Sequence, residues 1–365
     1  MRFSVPFLLV VEVLAAQTAA SSFSVLSAQA QAARDADQLE KAAGLYKKAL
    51  KLQPNWEEGL WSFAFISYDQ NQYKDCVWAA DKLSELKPGS TAGWTMAGLC
   101  QFELYNYGAA LDAFSQVDRL GFAENAVLGR AGRLHFALVL IKTGKFEKAI
   151  SVLTQIVRRD QNTSDVAVPA GIAGLRRPWL PAEVPESERD LIARLGDAMA
   201  TGMTQDYAAA NRKFDELLKV YPNQAEVHFR YGAMLYNQDP DRGIEEMKKA
   251  IALAPDHVPA LVSMSAIELK RDDAKAAQKY GELAVKASPS DFATHVVLGR
   301  ALLAADDPAR AAAELEQAVK LAPNAADAHF SLATAYNRLG KRQDAAREQA
   351  EFKKLEQNLG GKQVP

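Results

Sequence analysis

The stretch FATHVVLGRALLAADDPARAAAELEQAVKLAP, residues 292–323, decides the fold. It reads helix, turn, helix, proline. Gly299 in the first helix and Ala311 in the second are small enough for two helices to cross closely, Ala318 carries the buried stripe onward, and Pro323 stops the second helix. Outward from this stretch the same marks recur on a fixed ruler. Pro54 and Pro88 stand 34 residues apart, and Pro222, Pro255, Pro289 and Pro323 follow one another at 33, 34 and 34. The first-helix series of small residues is Ala64, Gly98, Ala137, Gly196, Gly232, Ser265, Gly299 and Ala333. The second-helix series is Ala42, Cys76, Ala110, Ala149, Ala210, Gly243, Ala277, Ala311 and Ala345. A period of this length marks a helical hairpin stacked on copies of itself, so the chain is expected to be all-α. After each proline stands Asn55, Asn223, Asp256, Ser290 or Asn324, a residue type expected to accept hydrogen bonds from free amides and so start the next helix.

The pattern resembles the tetratricopeptide repeat. Leu298-Gly299, Ala311, Ala318 and Pro323 sit at that family's spacing; Ala326 to Leu355 carries Leu332-Ala333, Tyr336 and Ala345; Trp94, Gly98 and Phe114 repeat the aromatic, small, aromatic scheme. About nine repeats begin near Phe23, Glu57, Thr91, Arg130, Arg189, Ala225, Val258, Phe292 and Ala326. Departures are Gly243 in place of Ala, Glu268 in place of an aromatic, and no proline near Phe122. The resemblance implies a right-handed superhelix, an α-solenoid of antiparallel hairpins.

The ruler breaks once. Residues 158–187 hold Pro169, Pro178, Pro181 and Pro185 with Gly171 and Gly174, too much punctuation for a regular hairpin. Two readings stand: a degenerate repeat packing Leu175, Trp179 and Leu180 across a seam, or a loop that shapes a binding site, with Arg176 and Arg177 available to an anion. Ser187-Glu188-Arg189-Asp190 has the form of a capping box that restarts the array. The expected organisation is a leader over 1–20, a repeat block over 21–157, the insert over 158–187, a second block over 188–356 and a tail over 357–365. The leader follows from Arg2 ahead of the apolar run Val5 to Ala16, which is too short to span a membrane; Glu12 interrupts it. An exported protein, periplasmic or secreted, with no integral span in the mature chain is the expectation.

A net charge of −2 without a dense Lys/Arg run lacks the basic face of a nucleic-acid binder. No Gly-rich phosphate loop, HExxH helix or nucleophile elbow is present, so no catalytic, cofactor or metal residues are assigned. His228, His295 and His329 occupy equivalent places in different repeats, about 10 Å apart when stacked, and cannot share a metal. Cys76 reads as a small buried side chain at a crossing point, although a bridge to Cys100 in the next repeat is compatible with export.

Function is expected on the face formed by first helices. The resemblance implies partner contacts at Trp61, Phe65, Tyr68, Leu99, Phe102, Phe229, Tyr236, Arg300, Phe330 and Arg338, with Leu134, Leu138 and Ile141 on the same face. Aromatic and arginine side chains are the types that most often dominate binding energy. The same stripe is equally able to fill the inner side of the array. The Lys/Asn pair of a chaperone-tail clamp is missing from Trp61/Phe65, Thr95/Leu99, Phe229/Ala233, Val296/Arg300 and Phe330/Thr334. These residues favour a non-enzymatic scaffold for a peptide or helix of a protein partner. The alternatives are a structural subunit of an envelope complex, or an enzyme accessory with a ligand under the insert.

Overall fold

The computed structural model describes residues 22–122 and 126–360; the expected leader lies outside them. Among the described residues there is no strand. Residues 22–35 form α1. Then come α2 (Leu39–Leu52), α3 (Glu57–Asp69), α4 (Tyr73–Leu86), α5 (Thr91–Glu103), α6 (Tyr107–Leu120), α7 (Ala126–Lys142), α8 (Phe146–Asp160), the short α9 (Ala167–Gly174) and α10 (Arg189–Met203). After these run α11 (Tyr207–Val220), α12 (Ala225–Leu235), α13 (Pro240–Leu253), α14 (Val258–Lys270), α15 (Ala274–Ala287), α16 (Phe292–Ala304), α17 (Pro308–Leu321), α18 (Ala326–Arg338) and α19 (Arg342–Gly360). The last helix runs past 356, into the expected tail.

Each ruler mark has a local physical cause. The proline is the second residue of a β-turn: Trp56, His257, Asp291 and Ala325 donate their N–H to the carbonyls of Gln53, Ala254, Ser288 and Ala322 at 3.0 to 3.3 Å. That position wants the φ that proline already has. The Asn, Asp or Ser after it lies inside this turn, so the expected cap is displaced by one residue, to Trp56, Gln224, His257, Asp291 or Ala325. Of these only His257 and Asp291 cap with a side chain, while Asp239, Asp273 and Asp307 cap second helices.

The turn inside each hairpin is equally regular. Its middle residue is left-handed, as at Asn71 (φ 58°), Gly144 (76°), Asp272 (59°), Asp306 (59°) and Gly340 (72°). Three successive N–H groups there return to the end of the first helix and satisfy its free carbonyls, as Ala305, Asp306 and Asp307 do to Ala301, Leu303 and Leu302. Small residues stand at the crossings. A Cβ on Gly98 would run into the Phe114 ring, and one on Gly299 into Leu315.

The chain divides into two compact units, Met1–Tyr207 and Ala208–Pro365. The division falls later than the proline-rich stretch because α9 and α10 are locked together: a Cβ on Gly171 would overlap the Ile192 carbonyl, and one on Gly196 the Ala167 carbonyl. The insert starts as a hairpin. Helix α9 is buried from Pro169 to Gly174, and Leu175, Arg176 and Arg177 repeat the three-bond turn with Arg176 left-handed. The prolines then forbid a second helix, leaving two 3-10 turns, Pro181–Glu183 and Glu186–Glu188. Arg176 pairs with Glu147 at 3.1 Å, and Arg177 lies 3.8 Å from Glu188, so both have intramolecular partners. The expected capping box at 187–190 does not form: the residue before α10 is Glu188, and its side chain makes no cap. Leu175 is buried, whereas Trp179 and Leu180 are half-buried.

Cys76 on α4 and Cys100 on α5 form a disulfide, with Cα atoms 6.1 Å apart. It joins two successive hairpins of the first unit. No helix among the described residues is long and apolar enough to cross a membrane.

Candidate functional site

Several successive first helices touch: α3 to α5, α5 to α7 and α7 to α9 in the first unit, and α14 to α16 and α16 to α18 in the second. They therefore line one face. On that face of the first unit the expected residues fare differently. Phe65 is 57% exposed. Trp61 is half-buried against the core that holds Tyr46, Leu60 and Phe63. Tyr68 is half-buried and its hydroxyl donates to Glu103 Oε1 at 3.3 Å. Phe102 is half-buried, edge-on to Tyr107 and His135 with centroids 5.7 and 5.0 Å away.

Leu99 is a correction: it is only 4% exposed and belongs to the interior. Helix α7 starts a turn earlier than the repeat spacing suggests, and Gly132 lets it approach Thr95 on α5, which closes this part of the face. Ile141 is likewise buried, and Leu134 and Leu138 are half-buried. In the second unit Phe229 is the other correction. It is 5% exposed beneath the His257 ring, 5.1 Å away, because His257 caps α14 from a position above it. Tyr236 is half-buried in the same cluster. Arg300 donates to Ser331 Oγ at 3.1 Å and to Asp327 at 3.2 Å; Arg338 donates to the Leu303 carbonyl. Phe330 is 53% exposed and lies against Phe352, centroids 5.3 Å apart. The exposed apolar positions are thus Phe65 in one unit and Phe330 in the other.

An aromatic cluster beside Tyr68 was not among the expected residues. Tyr73 is edge-on to Tyr68 at 5.7 Å, and Tyr105 to Tyr107 at 6.3 Å. Burial, then the Glu103 carboxylate, push the Tyr68 phenol up to about 12. Tyr73 is raised by burial and by Glu103 and Tyr105. The available signal was position: Tyr105 lies 34 residues after Asn71, on the left-handed turn residue, where a large aromatic is out of place.

The three equivalent histidines form matching clamps. His228, His295 and His329 each place Nε2 2.8 to 3.0 Å from the carbonyl of Pro222, Pro289 or Pro323. Each places Nδ1 2.6 to 2.7 Å from Glu246, Glu314 or Glu348 on the second helix. One ring ties the preceding turn to both helices of its hairpin. Burial lowers the pKa of His135, whose Nδ1 lies 2.8 Å from the Ala131 carbonyl. Among the described residues no three His, Cys, Asp or Glu side chains converge as metal ligands do. The arrangement is one of surfaces and internal ties.

The sequence profile of the tetratricopeptide repeat matches residues 204–257 and 296–351. Those two stretches are tetratricopeptide repeats. No curated protein matches it. Among solved structures, MamA 41-end from Desulfovibrio magneticus RS-1 is 24% identical over 45% of this chain and 93% of its own, with a TM-score of 0.41. A MamA RS-1 double mutant is 23% identical over 46% and 94%, TM-score 0.42. The APC/C hetero-tetramer Cut9-Hcn1 is 13% identical over 91% and 87%, TM-score 0.41. Tetratricopeptide repeats generally build non-enzymatic surfaces for protein association, and the repeat match supports an interaction scaffold here.

Proposed function

We propose that this tetratricopeptide repeat protein holds an extended segment or helix of a protein partner on the first-helix face of its first unit, around Trp61, Phe65, Tyr68 and Phe102. The observation that carries the reading is Phe65, an aromatic ring more than half exposed on α3 between a half-buried tryptophan and a half-buried tyrosine. Side chains already held by the core lose little freedom when a partner covers them, so the burial is turned efficiently into affinity. The protein acts in an exported compartment. The Cys76–Cys100 disulfide supports this, because such bonds persist in oxidising surroundings. Phe330, with Arg300 bonded to the adjoining Ser331 and Arg338 at the end of the same helix, is the corresponding contact of the second unit.

The test is the double change Trp61→Ala and Phe65→Ala, assayed by saturable co-purification of a defined partner from the native host. A folded double variant that loses the partner is the expected result; one that keeps it defeats the proposal.

A further inference from the structure

Residue 105 is an unusual choice for its turn. Equivalent left-handed positions hold Asn71, Gly144, Asp272, Asp306 and Gly340, which tolerate that backbone, and Arg176 and Gln205, which do so less readily; among the described residues Tyr105 is the one aromatic there, with φ 61° and a ring 76% exposed. Among the described residues its one ring contact is edge-on, with Tyr107.

Beside it lies a carboxylate with aromatic neighbours. Glu103 accepts the Tyr68 hydroxyl, and its charge acts on Tyr73, Tyr107 and His135 as well. Among the described residues no lysine or arginine pairs with it. The cation of this neighbourhood, Lys142, is committed elsewhere: it stands over the Tyr107 ring at 5.8 Å and is held by both oxygens of Glu183 at 2.6 and 2.7 Å. A half-buried carboxylate among phenol rings, with no counter-ion, is electrostatically complementary to a cation. Ring faces attract a cation through their quadrupole, and a planar guanidinium can stack on a ring while its fork meets a carboxylate.

We propose that the edge formed by Tyr68, Tyr73, Glu103 and Tyr105 receives the guanidinium of an arginine carried by the partner segment. The inference rests on the reading of this face as the partner's, and gives that partner a chemistry: an apolar stretch for Phe65 with an arginine beside it. An arginine rather than a lysine is specified because the planar group uses the rings and the carboxylate together.

The test titrates the full-length protein with arginine amide while the ring signals of Tyr68, Tyr73 and Tyr105 are followed by NMR. Norvaline amide, which lacks the guanidinium, serves as control. Saturable shifts with arginine amide, weakened about tenfold in Glu103→Gln, are expected. Tyr105→Asn, which suits the turn better, should bind arginine amide more weakly while melting no lower than wild type. A structural role for Tyr105 would not produce that combination. Shifts that are equal with norvaline amide, or that survive Glu103→Gln, overturn the inference. Lysine amide binding as tightly as arginine amide overturns it too. In parallel, a photo-crosslinker at Phe65 reports on the partner: if its crosslinks persist in Glu103→Gln, the arginine is refuted and the partner face stands. If no crosslink forms in the parent chain, the partner face fails, while the titration still judges the cation site.

Discussion

The clamp at His228 makes a prediction whose sign and size both follow from two short contacts. Nδ1 faces the Glu246 carboxylate at 2.6 Å and Nε2 faces the Pro222 carbonyl at 2.8 Å, and both partners accept. A neutral imidazole has one N–H and satisfies one of them; the imidazolium satisfies both. The hydrogen bond to Glu246 therefore raises the pKa of His228 against the opposing effect of burial. Burial pushes the Glu246 carboxyl up, but bonds from His228 and Lys249 outweigh it and hold the group below its ordinary value. His228 thus contributes stability that is complete below its unfolded pKa of about 6.5 and is lost as pH rises through the higher folded value. Glu246 contributes above its unfolded pKa of about 4.3, and loses that contribution as pH falls through its depressed folded value.

Glu246→Gln separates the two states of the ring. The glutamine amide can donate to Nδ1 of a neutral histidine while Nε2–H keeps Pro222, so the variant suits high pH and fails the imidazolium. The His228 and Glu246 side chains are 9% and 13% exposed, so solvent screening is slight. One charge-assisted hydrogen bond is worth about 2 kcal/mol. The variant should therefore lose about 2 kcal/mol near pH 6 and well under half of that near pH 8.5, read as the urea midpoint of the full chain by far-ultraviolet circular dichroism. Equal losses at the two pH values, or 15N shifts showing a neutral His228 ring at pH 6, would refute the reasoning.

Three further outcomes are expected. Reducing the Cys76–Cys100 bond, which closes a 24-residue separation, should cost the first unit about 3 kcal/mol, seen as a lower urea midpoint with reductant and in the double serine variant. Gly196→Ala should destabilise by about 3 kcal/mol or more, because the new methyl meets the Ala167 carbonyl and backbone cannot give way as a side chain can. Gly44→Ala, with open space at the same atom in α2, should instead stabilise by about 0.5–1 kcal/mol, and thermal melts of the two variants side by side check the contrast. Phe65→Ala should leave the melting temperature within about 1 °C of wild type, since an exposed ring contributes little to the core.

What the sequence disclosed and what it withheld have separate physical reasons. Period and small residues report contacts inside a hairpin, which are the same in every repeat, so the crossings at Gly98 and Gly299 were legible. Residues Leu99 and Phe229 failed because their burial depends on the neighbouring hairpin: an extra turn of α7 with Gly132 in one case, the His257 ring in the other. Spacing within a repeat carries no record of either. The insert was legible as a break, while its start as a hairpin emerged only from the three turn bonds around Arg176. Tyr105 was legible in principle, since the 34-residue ruler places it on a turn residue, but no helical pattern draws attention to a loop position. The equivalent places of the three histidines were legible from the ruler, whereas their glutamate partners, 18 or 19 residues on, and the tie they make within each hairpin were not.

The most direct measurement is photo-crosslinking in the native cell from residue 65, with residue 78 as reference, since Trp78 is 44% exposed on the second helix α4. A discrete crosslinked protein from position 65, absent from position 78 and competed by the unlabelled chain, is the predicted result. Silence at position 65, or the same products from both positions, would contradict the claim that the first-helix face is where this protein meets its partner.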